Sequence, residues 1–175
     1  MHTWGFSVVL VDDEPNEVFL LKRALQRIDP AVSVLVFGDG RQAIDYLAQA
    51  GADAKSGEFV PDRMLMFLDL KMPRMTGFEV LDWKRQQPEL SRMIVMVMSN
   101  SEQANDNARA YELGCNGYLV KPWDLERLTE MVRHVLRYWV ESSNRAVYET
   151  AIQHSSTVGL QDLRATRGIS PERRS

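Results

Sequence analysis

"FSVVLVDDEPNEVFLLKRALQRI", residues 6–28, decides the fold, because an apolar run ends in three consecutive acids and gives way to an amphipathic stretch. The run at 6–11 is short and almost continuously apolar, which is typical of a strand buried on both faces of a parallel sheet. Within 16–28, apolar residues recur at spacings of three and four, as they do on one side of a helix. The stretch therefore predicts a strand, an acidic loop and a helix.

The same pair of patterns recurs along the chain. The apolar runs predict five strands, at 6–11, 32–37, 64–70, 93–98 and 117–120. The amphipathic stretches predict five helices, at 16–28, 40–50, 76–87, 101–114 and 124–140. Strands that alternate regularly with helices indicate an α/β fold, a doubly wound five-stranded parallel sheet with helices on both faces.

The length of 175 residues suits one ordinary domain with a short extension. We assign residues 1–140 to that domain. Residues 141–175 are polar and weakly periodic, which predicts a tail with at most one short helix, at 144–153. The polar segment 50–63 is predicted to be a surface loop.

The composition narrows the classes of partner and compartment. The chain has 24 acids against 21 bases, for a net charge of −3, so neither DNA nor an anionic membrane is the expected partner. No apolar run approaches the length of a bilayer, and the N-terminus lacks the pattern of a signal peptide. With a single cysteine, Cys115, there is no disulfide framework within the chain. We expect a soluble cytoplasmic protein.

Chemically active side chains follow four of the five predicted strands. Asp12 and Asp13 come after the first, Asp69 ends the third, Ser99 follows the fourth and Lys121 follows the fifth. Ligands of open parallel sheets bind outside the carboxyl ends of the strands, so we expect these side chains to meet at one edge.

Three carboxylates gathered at one edge need positive charge between them. Lys121 supplies one such charge, and an all-oxygen site with carboxylates suits Mg²⁺. An aspartate beside Mg²⁺ can act as a nucleophile and form an aspartyl-phosphate, whose oxygens a lysine and a hydroxyl then stabilise.

Taken one at a time, other residues of these segments have simpler structural interpretations. Ser99 would be a turn residue, Tyr118 a half-buried aromatic and Lys121 a surface lysine.

Four motifs in this order resemble the receiver domain of two-component response regulators. They are "LVDDEP" (10–15), "LDLKMPRMTGFEVL" (68–81), "MSN" (98–100) and "GYLVKP" (117–122). The resemblance spans about residues 6–140. It implies the flavodoxin-like strand order 2-1-3-4-5.

The resemblance also implies roles for the acids. Asp69 becomes the phosphoacceptor. Mg²⁺ is held by Asp12, Asp13 and Asp69, together with the backbone carbonyl of Lys71. The side chain of Lys71 adds a positive charge close to the reaction.

Further roles follow for the last two strands. Ser99 becomes the switch hydroxyl, Tyr118 the aromatic that rotates with it, and Lys121 the partner of the phosphoryl oxygens. The peptide bond between Lys121 and Pro122 is expected to be cis, an isomer that is rare outside bonds to proline. Asn100, directly after the switch serine, is larger than the residue that many receivers have there.

Finer features are similar to the small response regulators paired with bacterial phytochromes. These are "YELGCNGYLVKPWDLERL" (111–128), "RYWV" (137–140) and the insertion at 51–62. Proteins of this branch are single receivers without a DNA-binding domain. The similarity implies a sensor histidine kinase as partner, including a kinase of the bacterial phytochrome type, and a homodimer through the fourth helix, the last strand and the fifth helix.

The function expected from the sequence is therefore that of a stand-alone response regulator. It accepts a phosphoryl group on Asp69, signals by phosphorylation-dependent protein contact, and is not an enzyme beyond its own Mg²⁺-dependent phosphorylation and dephosphorylation. Two alternatives stay open. One is a degenerate receiver that acts as a scaffold without phosphorylation, and the other is a small Mg²⁺-dependent phosphohydrolase with an aspartyl nucleophile.

Overall fold

The computed structural model describes residues 7–56, 64–100 and 104–139. Its strands are β1 (Ser7–Val11), β2 (Ser33–Phe37), β3 (Met64–Leu68), β4 (Ile94–Ser99) and β5 (Gly117–Val120). Its helices are α1 (Pro15–Ile28), α2 (Gly40–Ser56), α3 (Gly77–Arg85), α4 (Ala104–Glu112) and, among the described residues, α5 (125–139); a short 3₁₀ turn covers Pro88–Leu90.

All strand pairs are parallel, and the sheet has the order β2-β1-β3-β4-β5. This confirms the predicted doubly wound α/β fold and the order 2-1-3-4-5. Every residue of β3 and β4 is buried, as the continuous apolar runs predicted. The chain leaves β1 first toward β2 and later toward β3, so the crevice between the carboxyl ends of β1 and β3 is the switch point where such folds bind ligands.

The second helix is longer than predicted. Residues 51–56, expected to begin a surface loop, continue α2 to Ser56. The alanines at 50, 52 and 54 favour helix strongly enough to offset Gly51. A side chain at Gly51 would also crowd the 3₁₀ turn, because an added Cβ would lie 3.0 Å from Cγ of Glu89. Residues 57–63, the rest of the predicted loop, lie outside the described residues.

The chain divides into two compact units, Met1–Arg137 and Tyr138–Ser175. The predicted tail at 141–175 and its short helix lie outside the described residues, so the boundary at 140 stays a prediction. Nowhere in the described part of the chain is a helix both long enough and apolar enough to cross a membrane.

Candidate functional site

Backbone hydrogen bonds beyond the strand ends bring the acidic loops together. The N–H of Asp69 donates to the carbonyl of Val11 at 2.9 Å, which places Asp69 beside Asp12 at the end of β1. The N–H of Lys121 donates to the carbonyl of Ser99 at 2.9 Å. Each bond extends parallel pairing past the strands, so the polar side chains emerge at one edge, as expected from the sequence.

The loop after Asp69 is held by the start of α3. The N–H of Gly77 donates to the carbonyl of Leu70 at 3.1 Å, and a Cβ on Gly77 would lie only 2.2 Å from the carbonyl oxygen of Asp69. Only glycine permits this approach of backbone to backbone. Thr76 and Glu79 form a capping box, which fixes where the helix begins.

The ammonium of Lys121 lies among three carboxylates. Its Nζ donates to Oδ2 of Asp12 at 2.8 Å, to Oδ1 of Asp69 at 2.8 Å and also to Glu17. The side chains of Lys121, Asp12 and Asp69 are each only 9–11% exposed, so this is a largely buried ion cluster. One positive charge faces three negative ones, which leaves an excess of negative charge.

The pKa shifts within the cluster follow from burial and from the hydrogen bonds of Lys121. Burial favours the neutral form of Lys121, but its hydrogen bonds to Asp12, Asp69 and Glu17 outweigh burial and raise its pKa above the usual value for lysine. Burial raises the pKa of Asp12, and the hydrogen bond from Lys121 only partly offsets it. For Glu17, burial is outweighed by hydrogen bonds from Lys121 and Asn100, which lower its pKa.

The two aspartates are further oriented by the backbone. The other oxygen of Asp69, Oδ2, accepts from the N–H of Lys71 at 2.7 Å. The other oxygen of Asp12, Oδ1, accepts from the N–H of Glu14 at 2.9 Å. Each carboxylate is thus held between Lys121 and its own loop.

The cluster offers ligands for a hard cation. One oxygen from each of Asp12, Glu17 and Asp69 lies within 4.8 Å of the others, and the described residues contain no other such grouping of three. The set consists of oxygens alone and carries excess negative charge, so its chemistry fits Mg²⁺. Exposed Asp13 and Lys71 line the same cleft, which has a volume of about 260 Å³.

Glu17 was missed from the sequence as a member of this cluster, and Asn100 was noted only for its size. Glu17 is in the first turn of α1, and its Oε1 accepts from Nδ2 of Asn100 at 2.8 Å. An acid in the first turn of a helix is ordinary, because it complements the helix dipole. Its only signal in the sequence is its position four residues after Asp13, at the start of the helix that follows the acidic loop.

The two predicted switch residues lie in different surroundings, since Ser99 lines the cleft and Tyr118 packs against the hydrophobic core. The side chain of Ser99 is buried at the end of β4 and lines the cleft. Tyr118 is half-buried and packs against the hydrophobic core from β5. Its backbone N–H donates to the hydroxyl of Tyr111 on α4 at 3.3 Å, which links the strand to that helix.

The expected cis bond before Pro122 is not found. No peptide bond among the described residues is cis, so the Lys121–Pro122 bond is trans and the prediction is wrong for this structure. The trans isomer is intrinsically favoured by about 0.5–1 kcal/mol. The trans chain already brings Nζ of Lys121 within hydrogen-bonding distance of Asp12 and Asp69.

The geometry combines a carboxylate, a buried ammonium, a neighbouring hydroxyl and oxygens for a hard cation in one open cleft. Such a site can hold a phosphoryl group on Asp69. A family model, the response regulator receiver domain, matches residues 8–133. This chain belongs to the response regulator receiver family. Receiver domains act as phosphoacceptors and work with histidine kinases.

Curated relatives support the assignment. Response regulator Rcp1 of Synechocystis sp. (strain ATCC 27184 / PCC 6803 / Kazusa) is 32% identical over 135 residues, which cover 77% of this chain and 89% of Rcp1. "Probable methanogenesis regulatory protein FilR2" of Methanothrix harundinacea (strain 6Ac) is 33% identical over 135 residues, 77% of this chain and 84% of FilR2.

Solved structures point to the same branch. The Mn²⁺-bound form of Rcp1 aligns with a TM-score of 0.64 at 31% identity, over 78% of this chain and 95% of that one. The phosphorylated cyanobacterial phytochrome response regulator RcpA aligns with a TM-score of 0.67 at 31% identity, over 78% and 95%. The relatives of this receiver thus include phytochrome-associated regulators, and one of them was crystallised with a divalent cation.

Proposed function

We propose that this chain is a stand-alone response regulator that accepts a phosphoryl group on Asp69 from a sensor histidine kinase. The observation that carries the proposal is the position of Asp69, which lies at the switch point of the sheet with Oδ1 2.8 Å from Nζ of Lys121. The side chain is anchored by Lys71 N–H, yet it lines a cleft open to solvent.

In the proposed reaction, a carboxylate oxygen of Asp69 attacks the phosphorus of a phosphohistidine. The new O–P bond forms as the P–N bond breaks, and the histidine nitrogen leaves with the electron pair of that bond. Lys121 is in place to neutralise phosphoryl oxygens, and the Ser99 hydroxyl can donate to one of them.

The ligands proposed for the cation come from the resemblance to receiver domains, and the three aspartates among them line the cleft. Asp12, Asp13 and Asp69, with the backbone carbonyl of Lys71, would hold Mg²⁺. The ion would supply the positive charge that Lys121 alone does not, and so offset the charge on the phosphoryl oxygens.

Signalling would follow from the added charge of about −2. This charge favours a conformation in which Ser99 and Lys121 turn toward the phosphoryl group and Tyr118 moves inward. The bond between Tyr118 N–H and the Tyr111 hydroxyl offers a route to α4. Phosphorylation would in this way bias two existing conformations of the α4–β5–α5 face.

Other proteins would bind the α4–β5–α5 face and so detect its conformation. The partner proposed upstream is a sensor kinase of the bacterial phytochrome type, a choice supported by the likeness to Rcp1 and RcpA. The chain is also proposed to form a homodimer, in which two copies associate through α4, β5 and α5. Tyr111 and Val120 support this choice, since they are exposed by 50% and 41% on that face. No role on DNA or membranes is proposed, and cytoplasmic location stays a prediction.

The experiment is intact-mass analysis after incubation with acetyl phosphate and Mg²⁺. We expect wild type to gain one phosphoryl group, and Asp69→Asn or added chelator to abolish the gain. A folded wild-type chain that gains nothing from acetyl phosphate or phosphoramidate would contradict the proposal and favour a phosphorylation-independent scaffold. Repeated turnover of a phosphomonoester would instead favour the phosphohydrolase.

A further inference from the structure

Glu17 joins three elements that carry the site. From the first turn of α1, its carboxylate accepts from Lys121, which follows β5, and from Asn100, which follows β4, the latter at 2.8 Å. It is 29% exposed, whereas the side chains of Asp12 and Asp69 are close to fully buried. None of the motifs recognised in the sequence includes it as a functional residue.

The three acceptors of Lys121 are held in different ways. Asp12 and Asp69 each place their second oxygen on a backbone N–H of their own loop, at 2.9 and 2.7 Å. In the part of the chain that the structure describes, the second oxygen of Glu17 accepts from the side-chain amide of Asn100 and from no backbone N–H. The bond between Glu17 and Lys121 can therefore break without any change in the backbone of the two aspartate loops.

We infer that Glu17 is a positioning residue that retains Lys121 before phosphorylation and competes with the phosphoryl group for its ammonium. The inference rests on the proposed function. A phosphoryl group on Asp69 needs the charge of Lys121, and a negative Glu17 opposes this both by holding the ammonium and by repelling the incoming anion.

Release of Glu17 would also act on the loop after β4. Asn100 follows the switch residue Ser99 directly, and its side-chain amide is tied to Glu17 in the structure. When Lys121 turns from Glu17 to the phosphoryl group, the position of Glu17 is no longer fixed from both sides. The movement of Lys121 is thus coupled to Asn100 and, through the chain, to Ser99.

The test is calorimetric titration with beryllofluoride, a phosphoryl mimic that binds aspartate carboxylates, at saturating Mg²⁺. In Glu17→Gln, which keeps the shape of the side chain but removes its charge, we expect beryllofluoride to bind about fivefold more tightly than in wild type. Asn100→Ala, which removes the other partner of Glu17, should shift the affinity in the same direction by a smaller factor.

Glu14→Gln is the matched control. Glu14 caps the same helix, and its substitution removes the same charge. Its carboxylate, however, accepts from Asn16 rather than from Lys121. An equal gain in Glu14→Gln would show that only bulk charge matters and would overturn the inference. Unchanged or weaker binding by folded Glu17→Gln would overturn it too, with weaker binding indicating a supporting or metal-ligating role. Absence of binding by wild type would instead reject the proposed phosphoacceptor.

Discussion

Lys121 and Asp69 stand 52 positions apart in the chain, yet Nζ of the lysine lies 2.8 Å from Oδ1 of the aspartate. The contact joins the ends of β3 and β5, which are separated in the sheet by β4. It is possible because Lys121 has a long side chain that reaches across the carboxyl end of the intervening strand. The same ammonium also donates to Asp12 and Glu17, so its removal should affect every carboxylate of the cluster at the carboxyl end of the sheet.

Lys121→Met should destabilise the chain when divalent cations are absent. The change leaves partly buried carboxylates without their cation, and we expect the free energy of unfolding to fall by about 3 kcal/mol. Added Mg²⁺ should restore part of the loss, because it offers the acids another partner. Urea denaturation with Mg²⁺ and with chelator measures both effects. Lys22→Met, at an exposed position of α1, is the control and should change stability by less than about 0.5 kcal/mol.

Much of the scaffold could be predicted from local pattern. The run at 117–120 matches β5 residue for residue, and the other strands shift by one or two residues at their ends. The inner strands β1, β3 and β4 are buried almost throughout, and a strand with both faces buried needs a continuous apolar run in its sequence. Strand order is not contained in such runs, since short right-handed connections allow several orders. It came from the resemblance, and the structure confirms it.

The site was only partly predictable for a physical reason. Residues directly after strands, such as Asp12 and Asp69, are placed by the sheet itself. Glu17 reaches the cluster only because α1 packs beside the sheet edge, and Asn100 only because it meets Glu17. Helix packing of this kind leaves no local pattern, and an exposed acid in a first turn is the usual choice at any helix start.

Gly77→Ala should disturb the loop of the phosphoacceptor. The added Cβ would lie 2.2 Å from the carbonyl oxygen of Asp69 and 2.9 Å from Cα of Leu70, and backbone atoms cannot move aside without shifting the loop. We expect a loss of about 2–3 kcal/mol in stability and slower phosphoryl gain from acetyl phosphate.

Gly38→Ala is the matched control for this steric effect. No heavy atom would lie within 4 Å of a Cβ added at Gly38, so stability and phosphoryl gain should stay close to wild type. Thermal unfolding and time-resolved intact mass compare the two variants. Equal losses in both would show that glycine flexibility, rather than contact with Asp69, is what matters at Gly77.

Lys84→Met should stabilise the chain at neutral pH. Lys84 is buried in α3, and burial lowers its pKa below the ordinary 10.5. The folded state thus binds this proton less strongly than the unfolded state, so the charge opposes folding at every pH below the folded pKa. A methionine of similar length removes the penalty, and we expect a gain of about 1 kcal/mol at pH 7.

The advantage of Lys84→Met should depend on pH in a defined direction. It should be greatest near neutrality and shrink as the pH rises above the folded pKa and then past 10.5, because the wild-type lysine loses its proton first in the folded state and then in the unfolded state. Urea denaturation of wild type and variant between pH 7 and pH 10 provides the measurement, with Lys22→Met at an exposed position of α1 as the control. A difference that grows with pH would contradict this account.

Val120→Arg should weaken the proposed homodimer. Val120 is 41% exposed on the edge strand β5, within the face assigned to self-association. An unpaired charge there would be buried on dimerisation, so we expect the dimer dissociation constant to rise by more than about tenfold.

Val36→Arg is a close control, because Val36 is 39% exposed on β2, the opposite edge of the same sheet. Light scattering at micromolar concentration, with and without acetyl phosphate, should give a dimer for wild type and Val36→Arg and a monomer for Val120→Arg. A monomeric wild type in both phosphorylation states would contradict the proposed homodimer. Equal dissociation by the two arginines would show that the dimer interface is not specific to β5.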